Sequence, residues 1–428
     1  MAIALFGLYL FVFAFWLYRW GSKSLSNLSK YLVLVGFLLR VAVGVFMAYY
    51  TENLEGNDSW KLFNASKEEV NCLIHHPGSF ISDGILDNNG YSGNPFTSFF
   101  FRNSNNFYFN DLKDNIIVKF NAILNVFSGG NYYVNILIAN FLVMWCLLAL
   151  VKVFRYNLKP DSQWTIIGTF LLYLPLILWT SNIQKDMLCL MLLSVFLYCY
   201  SFLGDRYGYK RLLFWMYMFF SVLVLVLIKN YMAIILVGCT VMVRVANPNS
   251  THFTKRFFIA FGLVFVFFMI SSFFPNSINF PLLLARKQNG FYDIAGAQPI
   301  PSIPLTGNIL SYIQNLPNAI FNCFFFPISK NLFVERIGWI GFAIFFLFLA
   351  LTVLAIKYPR KSGLWSNAFF LMMFSFCLLN YLLIGESVAY YGALQRYRAI
   401  PEAIFCILIL QLIDFKKIND LYISKKNI

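Results

Sequence analysis

Charge is scarce in this sequence. Asp, Glu, Lys and Arg make up 12% of its 428 residues, against roughly 25% in a soluble domain. With 60% of the residues apolar and 50 of them Phe, a water-solvated enzyme riding on an anchor is excluded; the composition suits a chain solvated mostly by lipid. Histidine is almost missing: there are three, and the adjacent His75-His76 has no helical His partner. No CxxC spacing occurs, which argues against a metal centre. The net charge of +15 is not a nucleic-acid footprint, because no basic stretch interleaved with aromatics is present. Internal repeats and low-complexity tracts are also lacking, so residues 1–428 read as one domain. The first apolar run, Ala2–Trp20, has no basic leader and no small-x-small cleavage site, and reads as a retained helix rather than a signal peptide.

What the sequence does hold is a succession of apolar runs able to cross about 30 Å of hydrocarbon. They fall at Ala2–Trp20, Tyr31–Tyr50, Tyr132–Val151, Trp164–Trp179, Met187–Leu203, Leu212–Ile228, Tyr231–Val243, Phe257–Phe274, Ile337–Ile356, Ala368–Ile384 and Ile400–Ile413. The expected fold is therefore all-α and polytopic, with about eleven transmembrane helices. Tight hairpins are expected at Ser181–Asp186 and Lys229–Asn230, since a lipid-exposed break in a helix leaves backbone groups unpaired. Short segments on one side hold 19 of the 33 Lys and Arg, which puts that side and the C-terminus in the cytoplasm. Two long segments then face outward, about 51–131 and 275–336. In the first, Asn121, Asn125 and Ser128 recur at i, i+4 and i+7 among apolar residues, a pattern for an amphipathic helix lying on the membrane surface. Ile309, Leu310, Ile313 and Leu316 repeat that pattern ahead of Pro317 in the second.

Ionisable residues at membrane depth or at helix mouths are functional candidates by default. Asp58, in Glu55-Gly56-Asn57-Asp58-Ser59-Trp60, is placed to act as a general base on an acceptor hydroxyl or to hold a divalent cation beside a phosphate; its bland reading is one solvated acid among nine in that loop. Lys185 suits a lipid phosphate with Asp186 orienting it, unless the two merely pair at a turn. Lys229 is a similar cation at a helix mouth, or a snorkelling lysine. Arg396 and Arg398 stand on the outer side, against the positive-inside tendency, and the guanidinium fork suits phosphate. Tyr397 between them is a platform for a sugar ring, and Glu386 lies just ahead. Arg40 sits in the middle of its helix and needs a partner, a cavity or water; a structural role and a phosphate groove are both open to it. Six cysteines lie within apolar runs as small core or lipid-facing residues. Cys72 and Cys323 lie in the two long loops, and a disulfide between them is left open.

Three segments carry a resemblance: Asp58 in the first outer loop, Trp179-Thr180-Ser181-Asn182-Ile183-Gln184-Lys185-Asp186, and Tyr391-Gly392-Ala393-Leu394-Gln395-Arg396-Tyr397-Arg398. In arrangement the chain resembles the multi-spanning sugar transferases of the GT-C superfamily and the surface-polysaccharide polymerases of the Wzy and EpsG kind. The resemblance implies transfer of a sugar or oligosaccharide from a polyprenyl-phosphate-linked donor to a hydroxyl acceptor at the outer face of a bacterial inner membrane. It implies membrane lipids, the lipid-linked saccharide and a polysaccharide-synthesis complex as partners. In the GT-C pattern the loop acid is catalytic or holds a divalent cation, which makes that cation the one cofactor implied. The chain departs from the pattern by an extra helix ahead of the loop and by Asn57 where a paired acid is common. A flippase of lipid-linked saccharide is the alternative reading.

Overall fold

A computed structural model describes residues 2–24, 27–52, 58–82, 107–160, 162–274, 279–292, 300, 302–324, 338–360 and 363–426. Parts of both long loops, with Glu55, Asp83 and Asp87, lie outside them. The described chain is helical almost throughout and contains no strand. In chain order the helices are α1 Ala2–Ser24, α2 Asn27–Glu52, α3 Asp58–His75, α4 Pro77–Ser82, α5 Phe107–Ser128, α6 Tyr132–Leu158, α7 Gln163–Leu172 and α8 Leu174–Thr180. They continue with α9 Lys185–Phe202, α10 Tyr209–Ala246, α11 Phe253–Ile270, α12 Phe280–Tyr292, α13 Ile309–Phe324, α14 Gly338–Lys357, α15 Ala368–Ser387, α16 Tyr391–Gln411 and α17 Phe415–Lys426.

The protein is an all-α polytopic membrane protein. Among the described residues, 8 helices are long and apolar enough to cross a membrane, and Gly341–Lys357 is a shorter apolar one. The difference from eleven runs has two further local causes. The runs on either side of Lys229 are two helical stretches that meet at a kink and are counted together as α10, and the last run belongs to α16, where Arg396, Arg398 and Glu402 lower the hydropathy. Where a hairpin is expected at Lys229–Asn230, two helical stretches meet at a kink. Lys229 alone leaves helical geometry, at φ −141° and ψ 78°. A straight helix of 38 residues would reach about 57 Å, nearly twice the hydrocarbon thickness of about 30 Å, so a break near its middle is what its length requires. A second break has a plain cause in the sequence: Pro175 supplies no N–H and pushes the preceding backbone out of the helix, and Tyr173, at φ −68° and ψ 107°, separates α7 from α8.

The chain forms two compact units with interleaved segments: residues 1–153 with 167–231, and residues 154–166 with 232–428. In the first unit α5 packs against α3, with its polar stripe turned to the protein. Asn121, Asn125 and Ser128 are buried while Ile123, Val126 and Phe127 are exposed. The polar stripe faces protein because partners wait there: Asn125 donates to Ser66 Oγ (2.9 Å) and accepts from Asn135 (2.7 Å). In the second unit α13 behaves alike. Its Ser311, Asn315 and Asn322 are buried, and Leu310, Ile313, Leu316 and Ile320 are exposed. Pro317 lies inside α13 rather than ending it. Gly385 on α15 lets α13 close in, because a Cβ there would collide with the Ala319 carbonyl. Asn367 caps α15 by accepting from Phe370 N (3.0 Å), and its amide donates to Asn157 O (2.8 Å).

Candidate functional site

Among the described residues six charged side chains are buried: Arg40, Asp186, Lys229, Glu386, Arg398 and Glu402. Four of them form two ion pairs, Asp186 with Lys229 in the first unit and Glu402 with Arg398 in the second. That leaves Arg40 in the first unit and Glu386 in the second without an oppositely charged partner among the described residues. A buried charge without a counter-charge is costly, so these two positions carry the most information.

In the first unit the polar residues gather where α8 stops. A helix that ends inside a protein leaves carbonyls to be satisfied, and here side chains of other helices reach them. Arg40 Nη2 donates to the Thr180 carbonyl (2.6 Å) and to its hydroxyl (2.9 Å). Asn140 Nδ2 donates to the Ser181 carbonyl (2.7 Å). A cation at a helix C-terminus is also favoured by the helix dipole. The contact needs Gly44, one turn beyond Arg40, since a Cβ there would lie 2.6 Å from the Ser181 carbonyl oxygen. Arg40 thus has a structural task, although its Nε and Nη1 meet no acceptor among the described residues.

Past this point Asn182 accepts from Tyr132 Oη (2.7 Å), and Gln184 donates to Ser59 Oγ (2.8 Å). That bond brings the start of α3, where Asp58 sits exposed, against the segment leading to Lys185. Lys185 pairs with Asp114 (2.6 Å), and Asp186 pairs with Lys229. The two neighbours therefore do not pair with each other at a turn. Lys229 is not a snorkelling lysine: it is buried, and its break in α10 places the ammonium on the Asp186 carboxylate.

In the second unit Glu386, on the last turn of α15, accepts from Asn315 Nδ2 of α13 (2.8 Å). Gln288 of α12 donates to the Glu386 carbonyl (3.1 Å). The next residue back, Lys287, holds its ammonium 5.9 Å from the centre of the Tyr397 ring, and Phe291 meets that ring edge-on at 6.2 Å. α12 thus touches both the Glu386 backbone at the end of α15 and the Tyr397 ring of α16. Arg396 and Tyr397 are half-buried at the start of α16. Arg398 faces inward instead, held by Glu402 (3.1 Å) and donating to the Cys323 carbonyl.

No protein-family profile, curated protein or solved structure matches this chain. Geometry alone therefore bears on its chemistry. Among the described residues no group of three His, Cys, Asp or Glu side chains is arranged to hold a metal ion. Cys72 and Cys323 are both free thiols, so no disulfide joins them. Burial pushes the Cys323 thiol up to about 12, with the nearby Arg398 guanidinium opposing the shift. Burial likewise raises the Tyr312 hydroxyl, and the neighbouring Glu386 adds to the effect.

Several of these residues had a signal in the sequence that went unused. Glu402 stands four residues after Arg398, the spacing at which helical ion pairs form. Asn315 belongs to the polar stripe opposite the Ile309–Leu316 face. Gln288 and Asn140 gave none, because their importance depends on which backbone groups they reach across the fold.

Proposed function

We propose that the protein transfers a sugar or oligosaccharide from a polyprenyl-phosphate-linked donor to a hydroxyl acceptor, as a membrane glycosyltransferase or polysaccharide polymerase. One observation carries the reading: within one unit, a buried carboxyl without a counter-charge, a tyrosine ring beside a lysine, and the half-buried Arg396 converge on the ends of α12, α15 and α16. Each element answers a need of the reaction. The departing lipid phosphate develops charge, which cations stabilise; a ring face suits a sugar; and the acceptor hydroxyl has to lose a proton. The eleven-span topology and the outward orientation belong to this proposal. In it, Arg396 and Lys287 contact phosphate, Tyr397 packs on sugar, and Arg398 fixes the helix that carries them. Lys185 is the phosphate candidate of the first unit.

The test is in the host cell. Deleting the chain should remove a surface polysaccharide or shorten it to single units, with lipid-linked precursor accumulating. Arg396→Ala should reproduce the deletion while the protein stays in the membrane. Full-length polymer in the deletion strain would end the proposal.

A second reading, a flippase for lipid-linked saccharide, is favoured by a different observation. Arg40, Asp186 and Lys229 are buried at or near helix breaks, and broken helices are where transporters bind their cargo. Movement of a labelled lipid-linked saccharide across liposomes without a new glycosidic bond would decide for it.

A further inference from the structure

We infer that Glu386, rather than Asp58, takes the proton from the acceptor hydroxyl. This rests on the transfer reading given above and deepens it by assigning the base.

Three observations separate Glu386 from the other acids. The first is charge. Asp186 and Glu402, the other buried acids, are held by Lys229 and Arg398, and a carboxylate that a cation neutralises has little drive to accept a proton. Glu386 has only the neutral Asn315 amide on its carboxyl. The second is surroundings. Asp58 is exposed at the first residue of α3, where water solvates it as it would any surface acid. Glu386 is 7% exposed, the kind of setting enzymes use to bring a carboxyl into the working range of a base.

The third is support. Gln288 and Asn315 do more than touch Glu386. Gln288 also donates to the Ile303 carbonyl (3.2 Å) and accepts from Leu305 N (2.8 Å), and Asn315 accepts from Ile303 N (2.8 Å). The segment from Ser302 to Thr306 is therefore tied to the same two side chains that hold Glu386. At its near end Ile300 N donates to the Ala389 carbonyl (2.9 Å), just past Glu386. A residue held by two amides, one on its carboxyl and one on its backbone carbonyl, with the segment from Ser302 to Thr306 tied to the same two, is preorganised rather than incidental.

The step balances without a co-reactant. The acceptor O–H bond breaks and its proton moves to the Glu386 carboxylate. The oxygen forms a bond to the anomeric carbon, whose bond to the phosphate oxygen breaks with its electron pair on the departing lipid phosphate. The titratable groups that interact with Glu386 are Tyr312 and Cys323 of α13, and Cys323 in turn meets the Arg398–Glu402 pair of α16. Tyr312 is committed to the Pro281 carbonyl and Cys323 to the Tyr381 carbonyl, so neither competes for the proton.

The deciding variant is Glu386→Gln, in the full chain expressed in its host. Gln keeps the shape and can still accept from Asn315, so a purely structural Glu386 would tolerate it. A base cannot. Expected is a loss of polymer formation of about 10²- to 10⁴-fold, with normal amounts of protein in the membrane and accumulation of the cell's own lipid-linked saccharide. Glu386→Asp, which keeps a carboxyl, should recover part of the activity. In purified wild-type protein, infrared difference spectra across a pH titration should show a protonated-carboxyl band that Glu386→Gln removes. Wild-type polymer yield in Glu386→Gln, or an unchanged band, overturns this inference. If deletion of the whole chain leaves polymer and precursor untouched, the transfer reading fails instead, so the two failures are distinguishable.

Discussion

The buried pair of the first unit offers the sharpest test of the fold. Asp186 is 1% exposed and Lys229 7%, so solvent does little to screen either charge. Removing one partner strands the other, which costs about 3–5 kcal/mol when a buried pair is broken. Removing both and replacing them with apolar groups of similar size is often neutral or even stabilising. Lys229→Met and Asp186→Leu should therefore each destabilise the protein by about 3–5 kcal/mol, a loss of roughly a hundredfold or more in the folded-to-unfolded ratio. The double variant should return most of either loss. The assay is reversible unfolding in mixed micelles, followed by tryptophan fluorescence and closed as a double-mutant cycle. Additive losses would mean that the two side chains do not meet, and that the break in α10 has another cause.

Close backbone approach is tested by glycine. Gly44→Ala should destabilise by about 1–3 kcal/mol through overpacking, while Gly7→Ala, with nothing within 4 Å of the new Cβ, should not; equal effects would contradict the α2–α8 contact. Thiol chemistry separates two cysteines: Cys72, half-buried, should react with a water-soluble maleimide in the native protein. Cys323 should not, because burial pushes its thiol up to about 12. Its thiolate is then scarce between about pH 7 and about pH 9 and grows only as pH approaches that value; fast labelling of Cys323 near neutral pH would refute its burial. The outward apolar faces of α5 and α13 should lie against acyl chains. Spin labels at Val126→Cys and Ile313→Cys should be more accessible to oxygen than to a water-soluble nickel chelate, and the reverse order would put those faces in water.

The class of the fold was legible from the apolar runs because lipid leaves a chain little choice but helix. Which face of a helix turns inward was not. Asn121, Asn125 and Ser128 were correctly seen as one stripe, but in a membrane protein the polar stripe can face protein as readily as water. Ser66, distant in sequence, and Asn135 on the next helix decide it. The break at Lys229 was visible as a polar interruption, while its form depended on Asp186 being within reach. Of the site residues, Arg396, Tyr397 and Glu386 were legible because charge and aromatic residues at a helix mouth stand out against an apolar background. Gln288 was not, since an uncharged amide announces nothing until its partners are known, and Asn315 was legible only as part of the polar stripe of α13.

The central claim is that this protein makes a glycosidic bond. It is tested most directly by reconstituting the purified full chain in liposomes with lipid-linked saccharide extracted from its host and analysing the saccharide by mass. The account predicts chains extended by whole units and released lipid phosphate in proportion. Saccharide that changes leaflet but keeps its original mass would contradict it.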